Sequence, residues 1–404
     1  MHIVLINQYF PPDVAPTGVV LERVAREIVA LGHPVTVICG AGGYGGGAHL
    51  AESQRWSRHD IKVVRVAATR FGRLKAIGKL ADYVSFYVLV SLQLMRIGKP
   101  GLVITLTTPP YLSLLGRLGA FLRGANHGHW VMDLYPDVLQ AHGAFQKPLR
   151  GHRLMRLLAR IGWGGSRNQG VLTLGPDMHE RTCKYLRPGV RRKWVPLWGT
   201  AEGSVAPSTE EVERLRRERG WEPHQLVLMY SGNMGLGHRF GEFLEAARNA
   251  GPSVRFVFFG EGKRKTEIES FRKIHPGKVE LHGYVGPGDL PIHLRSADVH
   301  LVSLEPSWDG TMVPSKLQGI FAAGRPVIFV GSRTSSTGQW IEESGAGWVI
   351  EPGEAGGLER AVRGAADPDE RARRGRRAVE YARVHFDADT NARAAARFLL
   401  GLEE

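Results

Sequence analysis

Cysteine is nearly absent. Cys39 and Cys183 are the only two among 404 residues, too few for a disulfide scaffold or a four-sulfur zinc site. A reducing, cytoplasmic compartment is therefore the simplest expectation. Long hydrophobic runs are missing as well. The longest uncharged apolar stretch, Tyr83–Met95, has thirteen residues, whereas a bilayer span needs about 20. Met1 is followed by the short apolar run His2–Ile6 and then by polar and proline residues, without the basic start and longer apolar core of a signal peptide. Acidic residues are in deficit: 39 Asp and Glu face 53 Lys and Arg, a net charge of +14. Such a surface draws polyanions, whether nucleic acid, anionic lipid or phosphorylated substrates, and solvated basic faces account for any single cluster equally well. The 43% hydrophobic and 23% charged content is otherwise that of an ordinary globular protein, and the length suits about two α/β domains.

What is present reads first as alternating strands and helices. His2–Ile6 is apolar and β-branched, Asn7–Pro16 is a proline-rich loop, and Thr17 is placed to cap a helix running to Leu31, with Gly32 beyond it and Val35–Cys39 as the next strand. This βαβ unit predicts a parallel sheet. Leu102–Leu106, Trp130–Leu134 and Val171–Leu174 read as further strands, with helices over Tyr111–Arg123 and Arg150–Ile161. Ala41–Gly47 is a glycine-rich loop and Gly199–Ser208 a linker. A second α/β series follows, with strands at Leu226–Tyr230, Val254–Phe259, Val279–His282, Val299–Leu304 and Pro326–Val330, and a helix at Pro314–Ala323. The expected fold is α/β with two Rossmann-like doubly wound domains, over 1–200 and 201–384, and a closing helix, 385–404, returning to the first domain. Ligand is expected in a cleft at the carboxyl ends of the strands.

Three segments carry chemistry. Ser231-Gly232-Asn233-Met234-Gly235-Leu236-Gly237-His238 lies between a strand and a helix, where glycines let backbone amides approach an anion. It matches neither G-x-G-x-x-G nor a Walker A loop. Gly260-Glu261-Gly262-Lys263 ends the next strand. Asp309-Gly310-Thr311-Met312-Val313-Pro314-Ser315-Lys316 puts Pro314 at a first helical position, with Ser315 and Lys316 in the first turn. Amides, a hydroxyl and an ammonium together make a diphosphate site that needs no metal. Asp387-Ala388-Asp389 reads as a helix start rather than a metal motif, and His127-Gly128-His129 lacks a third ligand at useful spacing. No Gly-x-Ser-x-Gly elbow occurs.

Taken in order with Phe258–Gly262, His282-Gly283-Tyr284 and Phe321–Val327, these segments resemble family 4 glycosyltransferases of the GT-B fold. Phe10-Pro11-Pro12, Thr17-Gly18, Asp133-Leu134-Tyr135-Pro136-Asp137 and Val195-Pro196-Leu197-Trp198 extend the resemblance to the N-terminal half. It is to the subgroup that builds bacterial surface polysaccharides, including O-antigen and colanic-acid-type transferases. Many members carry a spaced pair of glutamates where this chain has Thr311 and Gly319, leaving Asp309 as the nearest acid. Asn233 and His238 replace a usual basic pair.

The resemblance implies a retaining transfer from a nucleoside-diphosphate sugar, UDP-linked, with no cofactor or essential metal. The acceptor is a saccharide or a polyprenyl-diphosphate-linked saccharide, and no nucleic acid is involved. Donor contacts are expected from Gly18, Gly232, Asn233, Gly235, His238, Glu261, Tyr284, Pro314, Ser315 and Lys316, and catalytic roles from Asp133, Lys316 and Asp309. Asp133, at the end of a strand, is placed to orient or deprotonate an acceptor hydroxyl, with Asp137 beside it. Two basic amphipathic stretches suggest peripheral attachment to the inner face of the plasma membrane. One is Arg70, Arg73, Lys75 and Lys79 before Tyr83–Met95, with Arg96 and Lys99 after it. The other is Arg150, Arg153, Arg156 and Arg160 among leucines. The readings that compete are a sugar-nucleotide 2-epimerase of the same fold and a non-catalytic basic protein for RNA or membrane. The latter lacks the interleaved aromatics of an RNA-binding module.

Overall fold

The computed structural model describes residues 1–13, 15–41, 61–69, 71, 76–143, 150–164, 168–199 and 207–402. Most of the glycine-rich loop after Ala41, the basic residues Arg70, Arg73 and Lys75, and linker positions 200–206 lie outside them. By internal contacts the chain divides into one unit of Met1–Pro196 with Asp389–Glu404, and a second of Leu197–Ala388.

The first unit is built on seven strands: β1 (Ile3–Ile6), β2 (Val35–Gly40), β3 (Ile61–Val66), β4 (Leu102–Thr105), β5 (Asn126–Trp130), β6 (Asn168–Thr173) and β7 (Arg192–Trp194). Their order is β3-β2-β1-β4-β5-β6-β7 and every pairing is parallel. The second unit has β8 (Leu226–Ser231), β9 (Val254–Phe259), β10 (Val279–His282), β11 (Val299–Ser303), β12 (Val327–Val330) and β13 (Gly347–Ile350). They lie in the order β10-β9-β8-β11-β12-β13, again all parallel. Strand order reverses beside β1 and beside β8, and at such points a doubly wound sheet leaves room for ligand outside the carboxyl ends of its strands. The predicted pair of Rossmann-like sheets is therefore present.

Burial follows from the strands' composition. Ile3, Val4, Leu5 and Ile6 are all fully buried, as expected for a strand covered on both faces. Around β8, Tyr230, Phe240 and Phe258 pack edge-on or tilted, the Tyr230–Phe240 ring centroids 4.9 Å apart. Each fully buried aromatic of this kind contributes roughly 1.5–3 kcal/mol.

Three local expectations change. The first helix is Pro16–Ala30 with Ala15 as N-cap and no side-chain cap. Pro16 itself opens it, because its fixed φ and missing N–H suit the first position, so Thr17 lies inside the helix and accepts from Asn7 Nδ2 at 3.4 Å. The fifth strand is Asn126–Trp130, not Trp130–Leu134. Its polar residues hid it: buried His127 and His129 both meet the Thr105 hydroxyl, at 3.0 and 2.9 Å. After Val131 the amides of Met132 and Asp133 turn to Thr107 Oγ1, each at 3.1 Å, and the chain leaves the sheet. The helix expected from Pro314 spans only Lys316–Ala322, with Ser315 at its N-cap. At the C-terminus, Ala388 opens the closing helix and Asp389 pairs with Arg23 at 2.8 Å.

Candidate active site

The carboxyl end of β8 runs directly into the glycine loop, and neighbouring backbone holds that loop in place. Gly232 N–H donates to the Phe259 carbonyl at 2.9 Å and Met234 N–H to the Glu261 carbonyl at 2.8 Å. The approach is so close that only glycine fits. A Cβ on Gly260 (φ 133°) would sit 2.0 Å from the Gly232 oxygen, and one on Gly262 (φ 149°) 2.4 Å from the Met234 oxygen. The loop's remaining amides face no protein partner: among the described residues, the N–H groups of Asn233, Gly235, Leu236 and Gly237 donate to no acceptor. A row of such donors is a concavity for an anion.

Lys316 reaches into this loop from the start of its helix. Its Nζ donates to Tyr230 Oη at 2.5 Å, to His238 Nε2 at 3.3 Å and to the Asn233 carbonyl at 3.5 Å, and lies 4.1 Å from the Tyr230 ring centroid. Gly232 (φ 130°) makes room for its stem, since a Cβ there would meet Lys316 Cε at 2.6 Å. Desolvation lowers the Lys316 ammonium to a pKa of about 7. His238 is buried, with Nδ1 2.7 Å from the Ser303 carbonyl. That carbonyl needs a donor, so the proton sits on Nδ1 and Nε2 is left to accept from Lys316. Burial, then the Lys316 charge, keep His238 neutral, with a pKa near 3. Among the described residues Lys316 is thus a cation whose hydrogen-bond neighbours are dipoles rather than a carboxylate, and an anionic ligand would complete it.

Further side chains, expected and unexpected, gather around the same loop. Glu305, by its backbone N–H, binds the Gly237 carbonyl at 2.8 Å. Its carboxylate ties Arg239 (3.1 Å) to Arg264 (2.9 Å), and Arg264 also donates to the His238 carbonyl. Trp308 packs under Gly237, where a Cβ would meet its ring at 2.9 Å. This seats the half-buried Asp309 at the end of the short Pro306–Trp308 turn, beside the loop. Glu261 is exposed, ion-pairs with Lys265 at 2.7 Å and accepts from Tyr284 Oη on its carbonyl at 3.4 Å. Gly232, Asn233, Gly235, His238, Glu261, Tyr284 and Lys316 are thus brought together. Pro314 and Ser315 precede the helix rather than forming its first turn. Ser315, with φ −76° and ψ 4°, is the N-cap, and the helix begins only at Lys316. Seven residues of helix give little dipole, so the loop amides and Lys316 carry the electrostatics. The positions of the family's glutamates are occupied without charge. Thr311 is buried and donates to the Trp308 carbonyl at 2.7 Å, and Gly319 packs near Leu294.

The remaining expected residues belong to the first unit. Gly18 sits in the first turn of the Pro16–Ala30 helix, where a Cβ would meet the backbone of Tyr9 and Phe10 at 3.1–3.2 Å. Asp133 is half-buried three residues past β5, and burial raises its carboxyl to a pKa of about 6. Asp137 behaves differently. Burial would raise it, but it accepts from Arg181 at 2.9 Å and, in short contacts, from Lys184 and Tyr185, and these lower its pKa overall. Asp137 is a fully engaged structural anion that opens the helix Asp137–Ala141, so it is not available to an acceptor. His127 and His129 are spent on Thr105, and burial lowers both to a pKa near 3.

Two residues were not singled out from the sequence. Tyr230 reads as a core aromatic, yet its hydroxyl receives Lys316 and donates to the Asn233 carbonyl at 2.7 Å; only its place at a strand end before the glycines hints at this. Tyr111 has φ 64°, a left-handed backbone that is strained for a tyrosine, and its ring lies 6.5 Å from that of Tyr135. No local pattern announces it.

Residues 225–367 match the family model described as Glycosyl transferases group 1. The chain is 24% identical over 279 residues, 68% of either chain, to the Probable glycosyltransferase WbjE of Pseudomonas aeruginosa. It is also 24% identical over 386 residues to WcaI of Escherichia coli, named as a colanic acid biosynthesis glycosyl transferase, covering 90% of this chain and 91% of that one. Among solved structures, a sucrose-phosphate synthase from Thermosynechococcus elongatus matches with a TM-score of 0.76 at 14% identity, over 100% of this chain and 99% of the other. HepE of Anabaena in complex with UDP matches with a TM-score of 0.71 at 14% identity, over 99% and 100%. The structural likeness establishes the GT-B fold. The second unit carries a glycosyl transferases group 1 domain, and the chain is a glycosyltransferase.

Proposed function

We propose that this glycosyltransferase takes a UDP-linked sugar and passes the sugar, with its configuration retained, to a saccharide or lipid-linked acceptor in the assembly of a cell-surface polysaccharide. The observation that carries the reading is the Lys316 ammonium seated against the glycine loop, among amides that lack protein acceptors. A nucleotide sugar meets that arrangement with its diphosphate. As the sugar–phosphate bond breaks, negative charge grows on the leaving oxygen, and a preorganised cation with loop amides stabilises it more than the ground state. These groups supply the charge that a divalent ion would otherwise bring, so the reaction runs without metal. The HepE complex holds UDP, which supports uridine as the base, and the name of WcaI supports a surface polysaccharide as the product.

Within this reading Glu261 and Tyr284 flank the nucleoside side of the loop, and Asp309 contacts the transferred sugar. In the first unit, Gly18 lets the Tyr9–Phe10 backbone lie close against the Pro16–Ala30 helix. Asp133, ionised above its raised pKa, accepts a hydrogen bond from the acceptor hydroxyl and aims its oxygen for attack. The test is product analysis with a panel of nucleotide sugars and membrane-extracted acceptors. Free UDP formed together with a glycosylated acceptor supports the proposal. An epimerised nucleotide sugar formed without acceptor, or no nucleotide-sugar affinity at all, overturns it.

A further inference from the structure

The first unit carries a three-helix layer whose outer face is apolar and, among the described residues, uncovered. The helices are Ala76–Arg96, Leu112–Arg123 and Arg150–Trp163. On its inner side the layer seals the sheet: Phe86, Val90 and Leu94 from the first helix and Leu112 and Ala120 from the second pack with Val4, Ile6 and Val103. The helices lie as close as glycine allows. A Cβ on Gly119 would meet Leu94 Cδ2 at 2.2 Å, and one on Gly162 would meet Ser113 Oγ at 2.5 Å. Arg117 donates across to the Ile161 carbonyl.

The outer side should be polar in a helix that faces water, and it is not. Along Ala76–Arg96, Ile77, Leu80, Val84, Val88, Leu92 and Met95 are all about half exposed or more, from 47% for Leu92 to 78% for Ile77. Leu118, Phe121 and Leu122 continue the face on the second helix, Phe121 at 71%, and Leu154, Leu157 and Ile161 on the third. Single exposed apolar residues are ordinary, but a continuous set across three packed helices marks a binding surface.

Charge decides what binds there. The three helices contain eight Lys and Arg and one acid, Asp82, and that acid is occupied by Thr69 Oγ1 at 2.9 Å and the Phe71 amide at 2.8 Å. A second copy of the same face would bring like charges together. An anionic bilayer offers hydrocarbon to the leucines and phosphate to the arginines. Among the described residues no helix is long and apolar enough to cross a membrane, so the face would lie on the surface of the bilayer.

We infer that the outer face of this three-helix layer docks the protein onto an anionic lipid bilayer. The inner side of the same helix faces the surroundings of Asp133. Tyr87 donates to the Pro110 carbonyl, and Tyr135 lies among Tyr83, Tyr87, Tyr111 and Asp133. Docking would hold an acceptor anchored in the membrane near the unit that carries Asp133. That consequence rests on the acceptor role proposed above, whereas the docking itself does not.

The test is co-sedimentation with vesicles of phosphatidylglycerol and phosphatidylcholine, against phosphatidylcholine alone. The protein is expected to sediment with the anionic vesicles and to be released by salt. The triple variant Leu80→Glu, Leu118→Glu, Phe121→Glu should bind at least about tenfold more weakly, and Arg96→Glu with Arg153→Glu should lose only the preference for anionic lipid. UDP affinity should stay unchanged in both, which separates failure of docking from failure of the donor site. Three results would overturn the inference: no binding of wild type at low salt, equal vesicle binding by the triple variant, or a wild-type dimer that the triple variant dissolves while vesicles bind neither protein.

Discussion

Asp133 and Lys316 are ionisable groups held away from their ordinary pKa values by burial, Asp133 up to about 6 and Lys316 down to about 7. If transfer needs the carboxylate and the ammonium, kcat/KM rises with pH as Asp133 ionises near 6 and falls as Lys316 loses its proton near 7. The result is a narrow bell that reports the free enzyme. Asp133→Asn should remove the acid limb and Lys316→Ala the alkaline one; a profile unchanged in either variant rejects that residue's role. Lys316→Ala should add about 2–4 kcal/mol to the barrier with the fold intact. Asp133→Asn should also stabilise the protein above pH 6. A carboxyl whose folded pKa is raised loses stability as pH climbs from its unfolded value to its folded one, and neutralising it restores up to about 3 kcal/mol. A rise in Tm together with impaired transfer distinguishes a functional carboxylate from a structural one. Lys316 was legible in the sequence because a lysine at a helix start needs a reason. Tyr230, its hydrogen-bond acceptor, was not, because a buried strand aromatic gives no sign of which way its hydroxyl points.

At the scale of elements, the glycine loop is rigid for a stated reason, and substitutions rank accordingly. Gly232→Ala meets the bendable end of Lys316 at 2.6 Å, whereas Gly260→Ala meets the Gly232 backbone oxygen at 2.0 Å. Both also impose an unfavourable positive φ, costing about 1–3 kcal/mol. Thermal denaturation should show Gly260→Ala as the more destabilised, with Gly232→Ala mainly weakening donor binding; the reverse order would mean the loop is not braced as described. Asp137 tests a second element. Its removal takes a shared carboxylate away from Arg181, Lys184 and Tyr185, and Asp137→Ala should cost about 2–4 kcal/mol at neutral pH, given that the two cations are partly exposed. Because its pKa is depressed on folding, this contribution exists above its unfolded value and disappears as pH falls through the folded one. The wild-type advantage in Tm should therefore shrink in acid, and a pH-independent difference contradicts the ion cluster. The sheets themselves were readable wherever strands were continuously apolar, as in His2–Ile6 and Leu226–Tyr230. The sequence reading failed at β5, because His127 and His129 are made tolerable only by Thr105 from the neighbouring strand, a contact that no local window contains. It failed also at the Lys316 helix, where proline marks the approach to a helix rather than its first residue.

For the whole molecule, composition pointed to two α/β units and a basic surface, and both follow from simple accounting of length and charge. Composition alone could not locate the apolar outer face, since amphipathic helices buried on both sides read the same until their neighbours are placed. The proposed chemistry makes one demand on the complete protein: transfer should persist in EDTA, and loss restored only by a divalent cation would show that Lys316 and the loop amides do not suffice. The central claim is that Lys316 and the glycine loop together hold the diphosphate of a nucleotide sugar. It is tested most directly by calorimetric titration of UDP into wild type and Lys316→Ala below pH 7. The account predicts saturable binding to wild type, weakened at least about tenfold in the variant by loss of one charge-assisted contact. Equal affinity in the two proteins, or no binding of any nucleoside diphosphate to wild type, would contradict it.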